Sequence, residues 1–185
     1  MPIVAASANV HPDELLDGLG LESGQRQWWA VSTKARQEKR LACDLHNFRI
    51  PFYLPLLSYK HVYRGRTVQS QLPLFVGYLF LFASEDERQH SFATNRVLRV
   101  LPVEDGAQLY NDLVQIRRLV ASNAPLTVQA RLQPGRRVRI RHGGLAGLEG
   151  TIVSRSHRTQ LVITVHFLQQ GVSIELEGCL LEPLD

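Results

Sequence analysis

The residues of this chain that could do covalent chemistry do not gather into a site. Cys43 and His46 stand at i and i+3 in a helical stretch, a geometry able to share a metal ion. No other Cys or His lies at ligand spacing, and Cys179 falls in a separate segment far along the chain. His90, His142, His157 and His166 are scattered without a Cys or Asp partner motif. Serine-hydrolase elbows, zinc-protease helices and phosphate-cradling glycine–lysine loops are all missing from the sequence. The expectation is a non-enzymatic chain with no catalytic residue, no metal and no cofactor.

The chemistry that remains is that of binding. The formal charge is +4 over 185 residues, unevenly spread: −4 in residues 1–25, +6 in 26–124 and +2 in 125–185. Of the 21 cations 18 are Arg, whose planar fork is the better ligand for phosphate and carboxylate. Lys60 to Arg66 (KHVYRGR) clusters cations around a glycine turn. Gly77 to Phe82 (GYLFLF) alternates Tyr78, Phe80 and Phe82 on one face of a strand. One face of that strand must meet helices, and the other is a candidate docking surface. This segment partly resembles the aromatic signature on which RNA-recognition domains stack bases. It departs from that signature at Val76, Leu79 and Ala83.

Elements must hold these groups in place. Residues 1–25 hold four acids and no base, and a weak helical stretch near Asp13 to Leu21 is broken by Gly18 and Gly20; a mobile N-terminal arm is expected there. Trp28 to Ser32 reads as a strand, and Leu41, Leu45 and Phe48 give the following helix an apolar stripe. Phe52 to Val62 and Thr67 to Gln71 flank the basic turn as a hairpin, and Leu74 to Phe82 is a buried strand. Ser84 and the acids after it open a helix, Val97 to Val103 is a strand, and a helix follows from about Glu104 to Val120 on Leu109, Leu113, Ile116 and Val120. The order predicts an α+β first domain over 26–120, an antiparallel sheet with helices packed on it. Residues 121–133 read as a linker. Residues 134–185 predict five short strands, a small β-barrel, beginning at Arg137, Gly150, Leu161, Gly171 and Cys179.

The second domain carries its own motif. Val138-Arg139-Ile140 runs into Gly143-Gly144-Leu145-Ala146-Gly147-Leu148-Glu149-Gly150 and out into Thr151-Ile152-Val153. Glycine at these turns permits backbone that a side chain would forbid. The pattern resembles the KOW motif of ribosomal and transcription proteins. With Trp28-Trp29-Ala30-Val31, Glu38, the hairpin Lys60 to Arg66 and the strand Pro73 to Phe80, the chain over about residues 27–184 resembles the NusG family, including its RfaH-like branch. Val76 departs from the proline usual there, and residues 1–25 lie outside the resemblance.

The resemblance implies a ferredoxin-like NGN domain followed by an SH3-like KOW barrel. It implies a transcription elongation or antitermination factor whose first domain docks on the clamp helices of RNA polymerase and keeps elongation processive. Carried over by residue, Phe75, Tyr78 and Phe80 would form the apolar polymerase pocket. His90 and Ser91 would meet the opposite pincer, although Phe92 and Ala93 depart from the threonine run of RfaH-like proteins. Nucleic acid of the elongation complex would meet Arg36, Lys60, Arg64 and Arg66. Phe167 and Leu168, at the tip after the third barrel strand, would hold a ribosomal protein or a termination factor. A monomer in the cytoplasm is expected. The start shows no basic residue before Arg26 and no long apolar core, which argues against a secretory signal. The longest apolar run, Leu72 to Ala83, is 12 residues, short of a membrane span. The rival reading is an RNA-binding or ribosome-associated KOW protein, favoured by Arg131, Arg136, Arg137, Arg139 and Arg141.

Overall fold

A computed structural model describes residues 9–21, 24–129, 135–155, 158–176 and 181–184. Arg131, His157, Cys179 and the first eight residues of the predicted arm lie outside the described residues. The chain divides into two compact units, Met1–Gly106 and Ala107–Asp185.

In the first unit the strands are β1 (Val10–His11), β2 (Gln27–Thr33), β3 (Phe52–Tyr53), β4 (Leu56–Tyr63), β5 (Arg66–Pro73), β6 (Tyr78–Ala83) and β7 (Val97–Pro102), with helices α1 (Glu38–Asn47) and α2 (Glu85–Phe92). Five of them form an antiparallel sheet in the order β1-β3-β6-β2-β7, and β4 and β5 stand apart as a two-stranded hairpin. Leaving out β1 and the hairpin, the chain runs β-α-β-β-α-β. Its fourth, first, third and second strands lie side by side, the split arrangement of ferredoxin-like folds.

Period-two alternation decides which residues reach the core. Trp29 and Val31 of β2, Leu79 and Leu81 of β6 and Phe52 of β3 share one face with Leu41, Ala42 and Leu45 of α1. The helix stripe is shorter than the sequence predicts. Helix α1 ends at Asn47, and Phe48, the C-cap residue, is exposed and stacked on His90 at 4.5 Å. Helix α2 opens with a complete capping box: Ser84 Oγ accepts the Glu87 N–H while the Glu87 carboxylate accepts the Ser84 N–H. The Arg26 guanidinium donates two bonds to the same carboxylate, which holds Glu87 below its ordinary range.

The described part of the predicted mobile arm is packed rather than free. Strand β1 extends the sheet, pairing Val10 with Tyr53 and His11 with Phe52. Two 3-10 turns, Asp13–Leu16 and Leu19–Leu21, follow it and bury Leu15 and Leu16. The Trp28 indole N–H donates to Gly20 O at 2.9 Å. Two leucines, a sheet edge and a buried indole partner outweigh the helix-breaking glycines that suggested mobility.

His11 packs edge-on to His46 at 4.7 Å. Burial first, and then the charge of His46, lower its pKa from 6.5; Asp13 opposes the shift and Arg49 adds to it. A histidine whose folded pKa is depressed stabilises the fold above the unfolded value and loses that contribution as pH falls below it. Strand β1 is therefore expected to loosen on mild acidification. The amide protection factor of Leu54, whose N–H donates to Asn9 O, should fall between about pH 7.5 and about pH 5.5. Unchanged protection would separate His11 from the docking of the arm.

The second unit begins with α3 (Gly106–Ala121) and continues through β8 (Leu126–Gln129), β9 (Arg136–Ile140), β10 (Glu149–Arg155), β11 (Arg158–Val165), β12 (Gln170–Glu175) and β13 (Leu181–Pro183). The division falls in the first turn of α3, after Gly106. Polar contacts tie the helix to the strands: Arg118 Nη2 donates to Ala146 O at 2.5 Å, and Gln115 Oε1 accepts the Glu149 N–H at 2.7 Å. Asp112, fully buried, accepts the backbone N–H of His166 at 2.9 Å and faces the His166 ring Nδ1 at 3.0 Å.

The predicted strands are present, but the sheet is six-stranded and open, in the order β13-β9-β10-β11-β12-β8. Among the described residues no pairing joins β13 to β8, so the predicted five-stranded closed barrel is not what is observed. The sixth strand comes from within the predicted linker, where Leu126 to Gln129 pair with Ile174 to Gly171. Leu-Thr-Val-Gln is too short to register as a strand by pattern, and the free edge of β12 supplies its partner.

Candidate functional site

The hairpin is built by its turn. Arg64 at φ 49° and Gly65 at φ 74° both occupy the left-handed region, as a two-residue type I′ turn requires. That turn sets the register of β4 on β5, from Tyr63 opposite Arg66 back to Leu56 opposite Pro73. Directly opposed residues share a face. One face therefore presents Tyr59, His61, Tyr63 and Val68, and the other Ser58, Lys60, Gln69 and Gln71. Tyr59 is 56% exposed and Tyr63 58%. The Tyr59 and His61 rings lie nearly parallel, tilted by 20° at 6.1 Å, and the Arg64 guanidinium sits over the Tyr63 ring at 5.4 Å. Lys60, Arg64 and Arg66 are all exposed. No acidic residue occurs between Asp44 and Glu85, so no carboxylate within that span offsets these cations.

Of the predicted nucleic-acid residues, Arg36 lies elsewhere, exposed in the loop between β2 and α1 at φ 59°. The hairpin's aromatic residues were missed. Tyr59, His61 and Tyr63 recur at every second position, and that period was the available signal.

The predicted polymerase row is largely interior. Phe75 is 1% exposed and Phe80 0%, and their rings meet edge to face at 6.2 Å. Phe80 lies opposite Ala30 on one side and Tyr53 on the other, and Phe82 packs on Trp28 at 5.2 Å. Both faces of β6 are thus buried along most of its length, where the sequence reading left one face as a docking surface. Tyr78, at the start of the strand, keeps part of its surface, and Val76 beside it is 80% exposed. The turn before Tyr78 is pinned: Glu38, buried at the start of α1, accepts the Gly77 N–H at 2.8 Å, and Gly77 O accepts the Thr33 N–H. Gly77 has φ 81°, a conformation that a β-carbon disfavours.

His90 and Ser91 separate in role. The His90 ring is exposed against Phe48, while Ser91 is 1% exposed and its Oγ donates to Arg88 O. Phe167 and Leu168 belong to the second unit, in a 3-10 turn (His166–Leu168), and both are half-buried.

Two open depressions, about 420 Å³ beside Arg26 and Glu87 and about 410 Å³ beside Asp112 and Thr164, lie one in each unit. Among the described residues no group of three or more His, Cys, Asp or Glu is placed to hold a metal ion. No described helix is long and apolar enough to cross a membrane.

Residues 26–129 match the family model described as "Transcription termination factor nusG". No curated protein matches the chain. A solved chain from "Crystal Structure of MjSpt4:Spt5 complex conformation B" aligns at 14% identity over 85% of this chain and 97% of that one, with a TM-score of 0.28, too distant to bear on the fold.

Proposed function

Given that the chain belongs to the NusG family, matched across residues 26–129, we propose that it is a transcription elongation or antitermination factor that binds RNA polymerase through its first domain. The family match is the observation that carries this reading. The second unit acts as a KOW domain that recruits a ribosomal protein or a termination factor through Phe167 and Leu168. Its strand order and the glycine turn at Gly147, with φ 83°, support that assignment. The protein works as a monomer in the cytoplasm and performs no catalysis of its own.

The polymerase contact centres on Tyr78 and Val76, the accessible end of the β6 row, with Phe75 and Phe80 supporting it from within. His90 contributes from the end of α2. The hairpin, through Lys60, Arg64 and Arg66, meets nucleic acid of the elongation complex. The rival RNA-binding reading rests on Arg131, Arg136, Arg137, Arg139 and Arg141, and of these Arg139 is already bonded to the Glu149 carboxylate.

Full-length protein is expected to bind purified core RNA polymerase, and Tyr78→Ala should weaken that binding by about 1–3 kcal/mol, the range for a truncated interface anchor. Affinity measured by interferometry, with a thermal melt as control for folding, checks it. Wild-type protein that ignores polymerase and binds free RNA tightly would replace this reading with the RNA-binding one.

A further inference from the structure

We infer that the exposed face of the hairpin is a stacking platform for unpaired bases, so that its ligand is single-stranded nucleic acid rather than duplex. This deepens the nucleic-acid contact proposed above and rests on it. Three observations carry the inference. Tyr59, His61 and Tyr63 lie in register along one face of β4, with both tyrosines more than half exposed. Arg64 and Arg66 stand at the tip, so aromatic rings and phosphate ligands follow one another along the same edge. The chain from Leu45 to Ser84 holds no carboxylate that would repel a polyanion.

The chemistry separates the two kinds of strand. A duplex offers phosphates to the cations and keeps its base faces stacked on each other, leaving the tyrosines without a partner. An unpaired strand offers phosphates and free base faces together. Base–aromatic stacking also tolerates any sequence, since every base has a π-face. The opposite face of the hairpin, with Ser58, Gln69 and Gln71, has no rings and holds Lys60 as its cation. It is the side for backbone contacts alone.

The test uses full-length protein and two fluorescent probes, an oligothymidylate of about 12 nucleotides, within the size range of small single-strand sites, and a duplex of equal length. Fluorescence anisotropy should show tighter binding to the single strand. Tyr59→Ala and Tyr63→Ala should each weaken single-strand binding by about 5- to 150-fold while leaving duplex binding and the salt slope nearly unchanged. Tyr59→Phe and Tyr63→Phe should restore it, since the ring and not the hydroxyl is used. Arg64→Ala with Arg66→Ala should flatten the salt dependence on the single strand by about 0.7 for each phosphate no longer neutralised.

Equal affinity for both probes, with the tyrosine variants silent, would overturn the inference and leave a phosphate-binding turn. Indifference to the arginine variants as well would remove the nucleic-acid contact itself. Tyrosine variants with weakened polymerase affinity and normal oligothymidylate binding would make this face a protein-binding surface instead. Polymerase binding through Tyr78 is measured separately, so its failure is distinguishable from each of these.

Discussion

Phe80→Ala is expected to lower the stability of the first unit by about 3–5 kcal/mol, the range for removing a buried aromatic ring and leaving its cavity. The ring is wholly buried, meets Phe75 edge to face, and lies opposite Ala30 and Tyr53 on the neighbouring strands. Ala30 is too small to fill the space, and close-packed neighbours relax only in part. Urea unfolding followed by the fluorescence of Trp28 and Trp29 should show a lower midpoint with little change in slope. The consequence for function is direct. A polymerase-binding defect in Phe80→Ala would report an unfolded domain, whereas Tyr78→Ala, at a partly open position, tests the interface itself. A Phe80→Ala protein that unfolds at the wild-type midpoint would mean that the ring is not held as described and that the face of β6 is open for docking.

Gly150→Ala should be nearly as costly, about 3 kcal/mol, at the upper end for overpacking. A β-carbon added there would lie 2.5 Å from the Val162 carbonyl oxygen and 3.0 Å from a Leu161 methyl. The nearest obstacle is backbone of β11, fixed by its pairing with β10 from Thr151 opposite Val162 to Arg155 opposite Arg158, so it has nowhere to move. Gly147→Ala makes the contrast. The site has room, with only Arg118 Nη1 near at 3.7 Å, but at its φ of 83° a β-carbon costs about 1–2 kcal/mol of backbone strain. Both tryptophans belong to the first unit, so their fluorescence would miss the change. Hydrogen exchange across β9, β10 and β11 should instead show Gly150→Ala opening far more readily than Gly147→Ala. If the order is reversed, strain at the turn and not crowding between strands governs this unit.

Much of the molecule was legible from local pattern. The β2 run Trp28 to Ser32, the stripe of Leu41 and Leu45 in α1, the helix start at Ser84 with its first-turn acids and the Arg64-Gly65 turn each depend on residues a few positions apart, and each forms as read. The family could be recognised for the same reason, since its motifs are short and contiguous. The basic hairpin was legible as a turn between two extended runs, and its cations as exposed.

What the tertiary structure decided involves partners distant in sequence. Alternation in Tyr78, Phe80 and Phe82 says that they share a face, but only the burial of Phe80 and Phe82 in the folded chain says that most of this face is closed. The glycines near Leu16 read as breakers of a helix, while the burial of Leu15 and Leu16 and the edge pairing of β1 with β3 made the segment part of the domain. Helix α3 has an apolar stripe legible by period, whereas the bonds that link its Asp112, Gln115 and Arg118 to His166, Glu149 and Ala146 join residues far apart in sequence. Leu126 to Gln129 became a strand because β12 had an unpaired edge. The sequence by itself determined the elements and the chemical character of their surfaces, because propensity, capping and turn geometry act over a few residues. Which surfaces stay open to a partner was settled only on folding, because burial depends on packing between segments that no local pattern encodes.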